Sequence, residues 1–317
     1  MKKILFATTA IVATASVAAA DVSFSGYGRF GVVHLGAAPS SSMVYSRLRL
    51  QIDMTTEADN GLTFGARLRH EQDNNKGFIT SSTTFVPVPA AGVGAFNAAR
   101  FYAKAGGFEV GTGNIYGAIE FMPGNYAATQ SAGTGLSGLG FQDIVTGNSG
   151  GWDAYSSKGN GAAGRQGVEV RYSAGDFSGH LSYSKGGGTK RTAAFVAYTF
   201  NGWTAALGYQ DGNVGAVAND IVALTVSGKI GNFGLDIGMS DVSGATNNRY
   251  VVRGYMDVGA ATKLNAYISN QKGAGAEDNS FGLGVSHSLG GGASVEGGVV
   301  RDFAGNTNAD LGVRFNF

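Results

Sequence analysis

Three groups of residues have types and spacings that could do chemistry. Gly26-Tyr27-Gly28-Arg29-Phe30-Gly31 reads G-x-G-x-x-G, and an acid, Asp53, follows 22 positions after Gly31. In a dinucleotide-binding enzyme such glycines let the backbone approach a pyrophosphate at a helix N-terminus, and the acid binds a ribose hydroxyl. Gly147-Asn148-Ser149-Gly150-Gly151 reads G-x-S-x-G, the spacing of a nucleophile elbow. The third group is basic: Arg47, Arg49, Arg67 and Arg69, with Arg29, Arg100 and Lys104 nearby in the chain. Guanidiniums held close together attract anions and set a local field.

The elements that would position these residues decide between the chemistries. A dinucleotide fingerprint needs a buried strand before it and an amphipathic helix after it. Around Gly26 the pattern instead has period two. Val22, Phe24, Gly26, Gly28, Phe30 and Val32 fall on one face; Ser23, Ser25, Tyr27 and Arg29 fall on the other. A loop, "GAAPSSS", follows where the helix should start. In "SRLRLQIDMT", Leu48, Leu50, Ile52 and Met54 oppose Arg47, Arg49, Gln51 and Asp53, so Asp53 is one rung of a strand. After "EADNG", Leu62, Phe64, Ala66 and Leu68 oppose Thr63, Arg67, Arg69 and Glu71, which predicts a hairpin. The glycines of "SGYGRFG" fit a curved sheet that wants small residues. The G-x-S-x-G match lies in a Gly/Ser-rich loop with no strand–turn–helix around it.

Alternation recurs to the last residue. Val168, Val170 and Tyr172 turn at "SAGD" into Phe177, Leu181 and Tyr183, and "AAFVAYTF" turns at Asn201-Gly202 into "WTAALGYQ". The chain closes with Leu311, Val313, Phe315 and Phe317 opposing Asp310, Arg314 and Asn316. About sixteen strands are predicted, joined by short turns on one side and longer polar loops on the other. Apolar residues with no water to bind their backbone can span lipid only as a helix or a closed sheet. After residue 20 no apolar stretch approaches the roughly 20 residues of a membrane helix. The expected fold is all-β, a single 16-stranded antiparallel transmembrane β-barrel over residues 21–317.

Composition agrees. There are 53 glycines in 317 residues, yet 43% of residues are hydrophobic and 11% aromatic, which argues against disorder. Mean hydropathy is near zero, as it is in a barrel whose two faces cancel. A soluble sandwich should carry a charged outer surface, but only 14% of residues are charged and one face of nearly every strand is apolar. Residues 1–20 read as a secretory signal peptide: Lys2 and Lys3, an apolar run, then Ala18-Ala19-Ala20, with cleavage expected after Ala20. Removing them leaves 21 basic against 22 acidic residues, which gives no reason to expect a nucleic-acid partner. Without cysteine there are no disulfides and no thiolate metal sites.

An apolar outside and a charged inside make a water-filled channel. Arg29, Arg47, Arg49, Arg67, Arg69, Arg100 and Lys104 are then expected on one wall of the lumen. The irregular segment 114–163 is long enough to be functional and is expected to fold inward and narrow the pore. Its acids Glu120, Asp143 and Asp153, together with Glu71, are expected to face the arginines. A charged constriction of this kind sorts solutes by size and charge.

The sequence resembles the trimeric general diffusion porins of the Gram-negative outer membrane, of the Rhodobacter type. The resemblance rests on "SGYGRFG", "SRLRLQIDMTTEADNGLTFGARLRHEQD", "NGAAGRQGVEVRYSAGDFSGHLSYS", "LGGGASVEGGV" and "ADLGVRFNF", and spans the mature chain. It implies a homotrimer in outer-membrane lipid and lipopolysaccharide, a third loop folded into each pore, and passive diffusion of small hydrophilic solutes. It implies that Arg47, Arg49, Arg67, Arg69 and Arg100 form the basic cluster and that Phe317 is read by the barrel-assembly machinery. No cofactor is expected. Loop-bound Ca²⁺ would follow from the resemblance, but no D-x-D-x-D-G run offers a site.

Two other functions are weighed. A substrate-specific outer-membrane channel would want an aromatic track through the lumen. A β-barrel enzyme would want a base, but His34, His70, His180 and His287 are scattered, with His70 and His287 on the apolar face.

Overall fold

The computed structural model describes residues 20–37, 40–73, 95–126, 133–140, 144–145, 166–186, 189–214, 217–218, 220–243 and 248–317. The expected signal peptide up to Ala19, the G-x-S-x-G stretch, Asp143 and Asp153 lie outside the described residues. No described helix is long and apolar enough to cross a membrane.

The first five strands are β1 (Asp21–Leu35), β2 (Ser41–Glu57), β3 (Thr63–Asp73), β4 (Arg100–Ala105) and β5 (Phe108–Gly113). A single helical turn, α1 (Ala118–Phe121), lies in the long segment that follows. Then come β6 (Gln166–Ala174), β7 (Phe177–Gly186), β8 (Thr189–Phe200), β9 (Trp203–Val214) and β10 (Ile221–Ile230). The last six are β11 (Phe233–Val242), β12 (Arg249–Val258), β13 (Thr262–Asn270), β14 (Asn279–Gly290), β15 (Ala293–Arg301) and β16 (Thr307–Asn316). Ala95–Phe96 extends β4 along β3, and Val217–Ala218 extends β10 along β9. Each strand pairs antiparallel with the next, and β16 pairs with β1, so the sheet of sixteen closes. The expected barrel is present.

At the seam Tyr27 stands opposite Asn316 and Val32 opposite Leu311. The Gly26 N–H donates to the Phe317 carbonyl at 2.8 Å, and the Phe317 N–H donates to the Gly26 carbonyl at 3.1 Å. The seam also explains the glycines of the false fingerprint. A Cβ at Gly28 would collide with the Phe315 ring and one at Gly26 with the Phe317 ring. Missing side chains on β1 make room for the two terminal aromatics on the outer surface.

The tight turns gather at one end. Asn201-Gly202 has φ of 49° and 78°, both left-handed, the pairing that matches strand twist in a two-residue hairpin. The opposite end holds the longer connections, although the link between β7 and β8 is only residues 187–188. The faces are sorted as the alternation requires. Phe24 and Leu283 are 63% and 67% exposed on the outside, whereas Arg29, facing in, is 3% exposed. Large apolar side chains stay exposed on β1–β16 alike, an arrangement favourable only against lipid.

The inner face departs from a uniformly ionic wall. Ala193, Phe195 and Ala197 on β8, Ala206 on β9, Ile221 and Ala223 on β10, Val242 and Val251 form a buried apolar patch with Ala118, Ile119, Met122, Ile144 and Val145. A second patch joins Val33, Leu35, Tyr45, Tyr267 and Val300 to Leu136 and Leu139. Both patches lie under the segment after β5. The inside of the barrel therefore has a small core of its own, which holds that segment in place.

Candidate functional site: the lumen wall and the in-folded segment

The arginine wall is built by the register of β16, β1, β2 and β3. Period two sends Tyr27 and Arg29 inward from β1, and pairing sets Arg29 opposite both Arg47 and Arg314, and Tyr27 opposite Arg49. The Tyr27 ring collects the cations: Arg314 lies 4.1 Å from its centroid, Arg49 5.3 Å, Arg29 5.6 Å and Arg47 5.9 Å. The negative face of the ring offsets part of their mutual repulsion. Tyr27 has no place in a list of charged residues, yet it organises the wall.

Carboxylates are interleaved within the wall. Glu71 accepts from Arg47 and Arg49, each at 2.6 Å. It stands between two arginines on the basic wall, not across the lumen from it. Asp53 holds Arg67 at 2.5 Å, and Arg67 also donates to the Tyr116 hydroxyl. Arg69 and Arg29 are bonded to neutral oxygens: Arg69 to the Gln51 amide at 3.1 Å, Arg29 to the Leu136 carbonyl at 2.9 Å. Sharing one carboxylate between two cations, and bonding two more to neutral groups, leaves the wall positive.

Arg100 and Lys104 are placed differently. Arg100 is 4% exposed, held at 2.5 Å by both Glu109 and Glu169. Glu169 also contacts His180 Nε2 at 2.9 Å and accepts from the Tyr116 N–H at 3.2 Å. This buried network clamps the start of the segment after β5 and gives Arg100 no open face toward the lumen. Lys104 is exposed near the Gly106-Gly107 turn, at the short-turn mouth.

From β5 the chain crosses the interior against the inner wall. The Ala118 N–H donates to Ser182 Oγ at 2.9 Å, and Thr225 Oγ1 donates to the Pro123 carbonyl at 2.6 Å. Arg253 donates to the carbonyls of Gly124 and Asn125, and Ser240 Oγ to that of Ile144. On the far side Asp310 accepts from the N–H of Leu136 at 3.0 Å, the N–H of Ser137 at 2.6 Å and Ser137 Oγ at 2.5 Å. The segment is thus tied to β7, β10, β11, β12, β16 and β1. Glycines in the wall receive its apolar side chains. A Cβ at Gly31 or Gly312 would strike Leu136, one at Gly208 would strike Met122 and Ile119, and one at Gly238 would strike Ile144.

Of the three loop acids singled out from sequence, Glu120 is described. It sits in the first turn of α1, half-buried, close enough to Arg69 to act on its charge. Asp310, Glu169, Ser182, Thr225, Ser240 and Arg253 were missed. The available signal was the break in inner-face polarity at Ala193, Phe195 and Ala197, and glycine at inward positions such as Gly31 and Gly312. Among the described residues no group of three His, Asp or Glu side chains could hold a metal ion.

The family description "Gram-negative porin" matches residues 7–307. A porin of Fuscovulum blasticum is 32% identical over 312 residues, covering 94% of this chain and all of that one. A porin of Rhodobacter capsulatus is 27% identical over 333 residues, again covering 94% and 100%. Among solved structures, a mutant of the Rh. blastica porin superposes with a TM-score of 0.77 at 27% identity, covering 94% of this chain and 100% of that chain. A closed sixteen-stranded barrel, a charged lumen crossed by its own chain, and a match of this extent lead to one conclusion: this chain belongs to the Gram-negative porin family.

Proposed function

We infer that the protein is an outer-membrane porin through which small hydrophilic solutes and ions diffuse passively, graded by size and by charge beside Arg47 and Arg49. One observation carries this reading: the apolar faces of the strands are exposed around the whole outside while guanidiniums line the inside. That is the inverse of a soluble protein, and it requires lipid without and water within. On this reading flux is not coupled to an energy source and its direction follows the gradient.

The segment after β5 narrows the passage, with Glu120 facing the arginine wall. A transverse field between them favours solutes whose charge or dipole can align with it. Export with removal of residues 1–20, assembly as a homotrimer among lipopolysaccharide, and recognition of Phe317 during assembly belong to the same reading. A β1 strand that starts at Asp21 supports the cleavage point. Proteoliposome swelling tests the function. Rates should fall steeply with solute size among uncharged sugars, with no dependence on stereochemistry. One sugar admitted far faster than its stereoisomers would favour a substrate-specific channel instead.

A further inference from the structure

Between the underside of α1 and the short-turn mouth lies a cavity of 580 Å³. Its lining includes Lys104, Glu109, Phe121, Pro123, Arg171 and Phe195. Phe121 is stacked on Tyr116, with ring centroids 4.1 Å apart, and the Arg171 guanidinium lies 5.1 Å from its centroid. Phe195 is 8% exposed and belongs to the inner apolar patch. The cavity therefore has an aromatic floor, Phe121 and Phe195.

Its charge is unbalanced. Glu109 Oε1 is shared by Arg100 at 2.5 Å and Arg171 at 3.2 Å. Glu169 is committed to Arg100 and His180. Arg171 uses one of its five donors on Glu109. Lys104 is exposed and makes no hydrogen bond or ion pair among the described residues. Of the charged residues that line the cavity, Lys104 and Arg171 are cations and Glu109 is the one carboxylate, so one negative charge is wanted. A dianion such as phosphate would exceed that single charge and would leave the aromatic floor unused.

We propose that this cavity is a vestibule site for a monocarboxylate carried on a flat apolar body, an aromatic carboxylate being the best fit. The ring lies against Phe121 and Phe195, and the carboxylate accepts from Lys104 Nζ and the open donors of Arg171. The proposal rests on the porin reading only for the route by which such a solute arrives. Occupancy is brief, because an exposed ammonium contributes little and the site is open to the mouth. The dissociation constant is on the order of millimolar, the range of a weak ligand with one ring and one charge.

The test is saturation-transfer NMR of benzoate with the purified, detergent-solubilised full chain, against detergent alone. Acetate and benzyl alcohol supply the charge without the ring and the ring without the charge. Benzoate should bind at least about fivefold tighter than either, and K104Q should weaken it by about threefold to tenfold. Lys104 is exposed, so the variant keeps the fold, and unchanged heat-modifiability on gels confirms this. Equal binding of benzoate and benzyl alcohol, or full binding by K104Q, would overturn the site. Conductance measured on the same preparation keeps the two readings apart. Open channels without benzoate binding remove the vestibule site alone, whereas binding without conductance removes the porin reading alone.

Discussion

At the residue scale, Arg47 and Arg49 share Glu71, and this sharing sets how a substitution acts. Neutralising one arginine leaves a matched pair. Neutralising both takes the local sum from +1 to −1, twice the change of one substitution, while Arg69 stays near Glu71. The double variant R47Q/R49Q should therefore shift the reversal potential in a salt gradient toward cation preference by about twice the single-variant shift, with a modest rise in conductance. An unchanged reversal potential in the double variant would mean that the pair does not line the constriction. Asp310 gives a second prediction. It accepts three hydrogen bonds from Leu136 and Ser137, and a charged acceptor contributes about 1.5–3 kcal/mol per bond. D310A should release the far end of the in-folded segment. Open-channel noise should rise and protease should cut within 133–140, while the barrel keeps its heat-modifiability. A quiet, protease-resistant D310A pore would show that the apolar contacts of Leu136 suffice.

At the element scale, strands were legible because their two faces meet unlike media. Leu48, Leu50, Ile52 and Met54 against Arg47, Arg49, Gln51 and Asp53 leave one solution for the pleat, and the hairpin β2–β3 follows. The in-folded segment was legible only as length. Its seats are scattered over strands far away in sequence: Gly31 and Gly312 under Leu136, Gly208 under Met122, Gly238 under Ile144. An absent side chain looks the same in sequence whether it relieves curvature, receives a phenylalanine ring outside or receives a leucine inside. Likewise Arg100 and Arg67 are opposite each other in register, yet one is sealed by two glutamates and the other is half-buried beside Asp53. Alternation assigns a face but not a depth. The seats are testable. At Gly238 an added Cβ would meet only Ile144, so G238V should displace Ile144 and destabilise the segment by about 1–3 kcal/mol, the cost of overpacking, read as faster hydrogen exchange at the Ile144 amide. Exchange unchanged in G238V would mean that Ile144 is not seated there.

At the scale of the whole molecule, closure and inversion are one fact. Sixteen strands pair round to β1, so no edge is left for lipid to meet, and the apolar surface that a soluble protein would bury is turned outward. An outward leucine replaced by arginine, as in L207R, should cost about 2–4 kcal/mol in membrane-folded stability, measured by urea unfolding in lipid vesicles. A cost near zero there would mean that β9 does not face hydrocarbon. The most direct measurement is the current through single molecules of the purified protein in a planar lipid bilayer. Discrete steps whose size rises in proportion to bulk salt conductivity are predicted, because ions cross a water-filled lumen. Absence of steps, or a step size that saturates at low salt, would contradict an open aqueous pore.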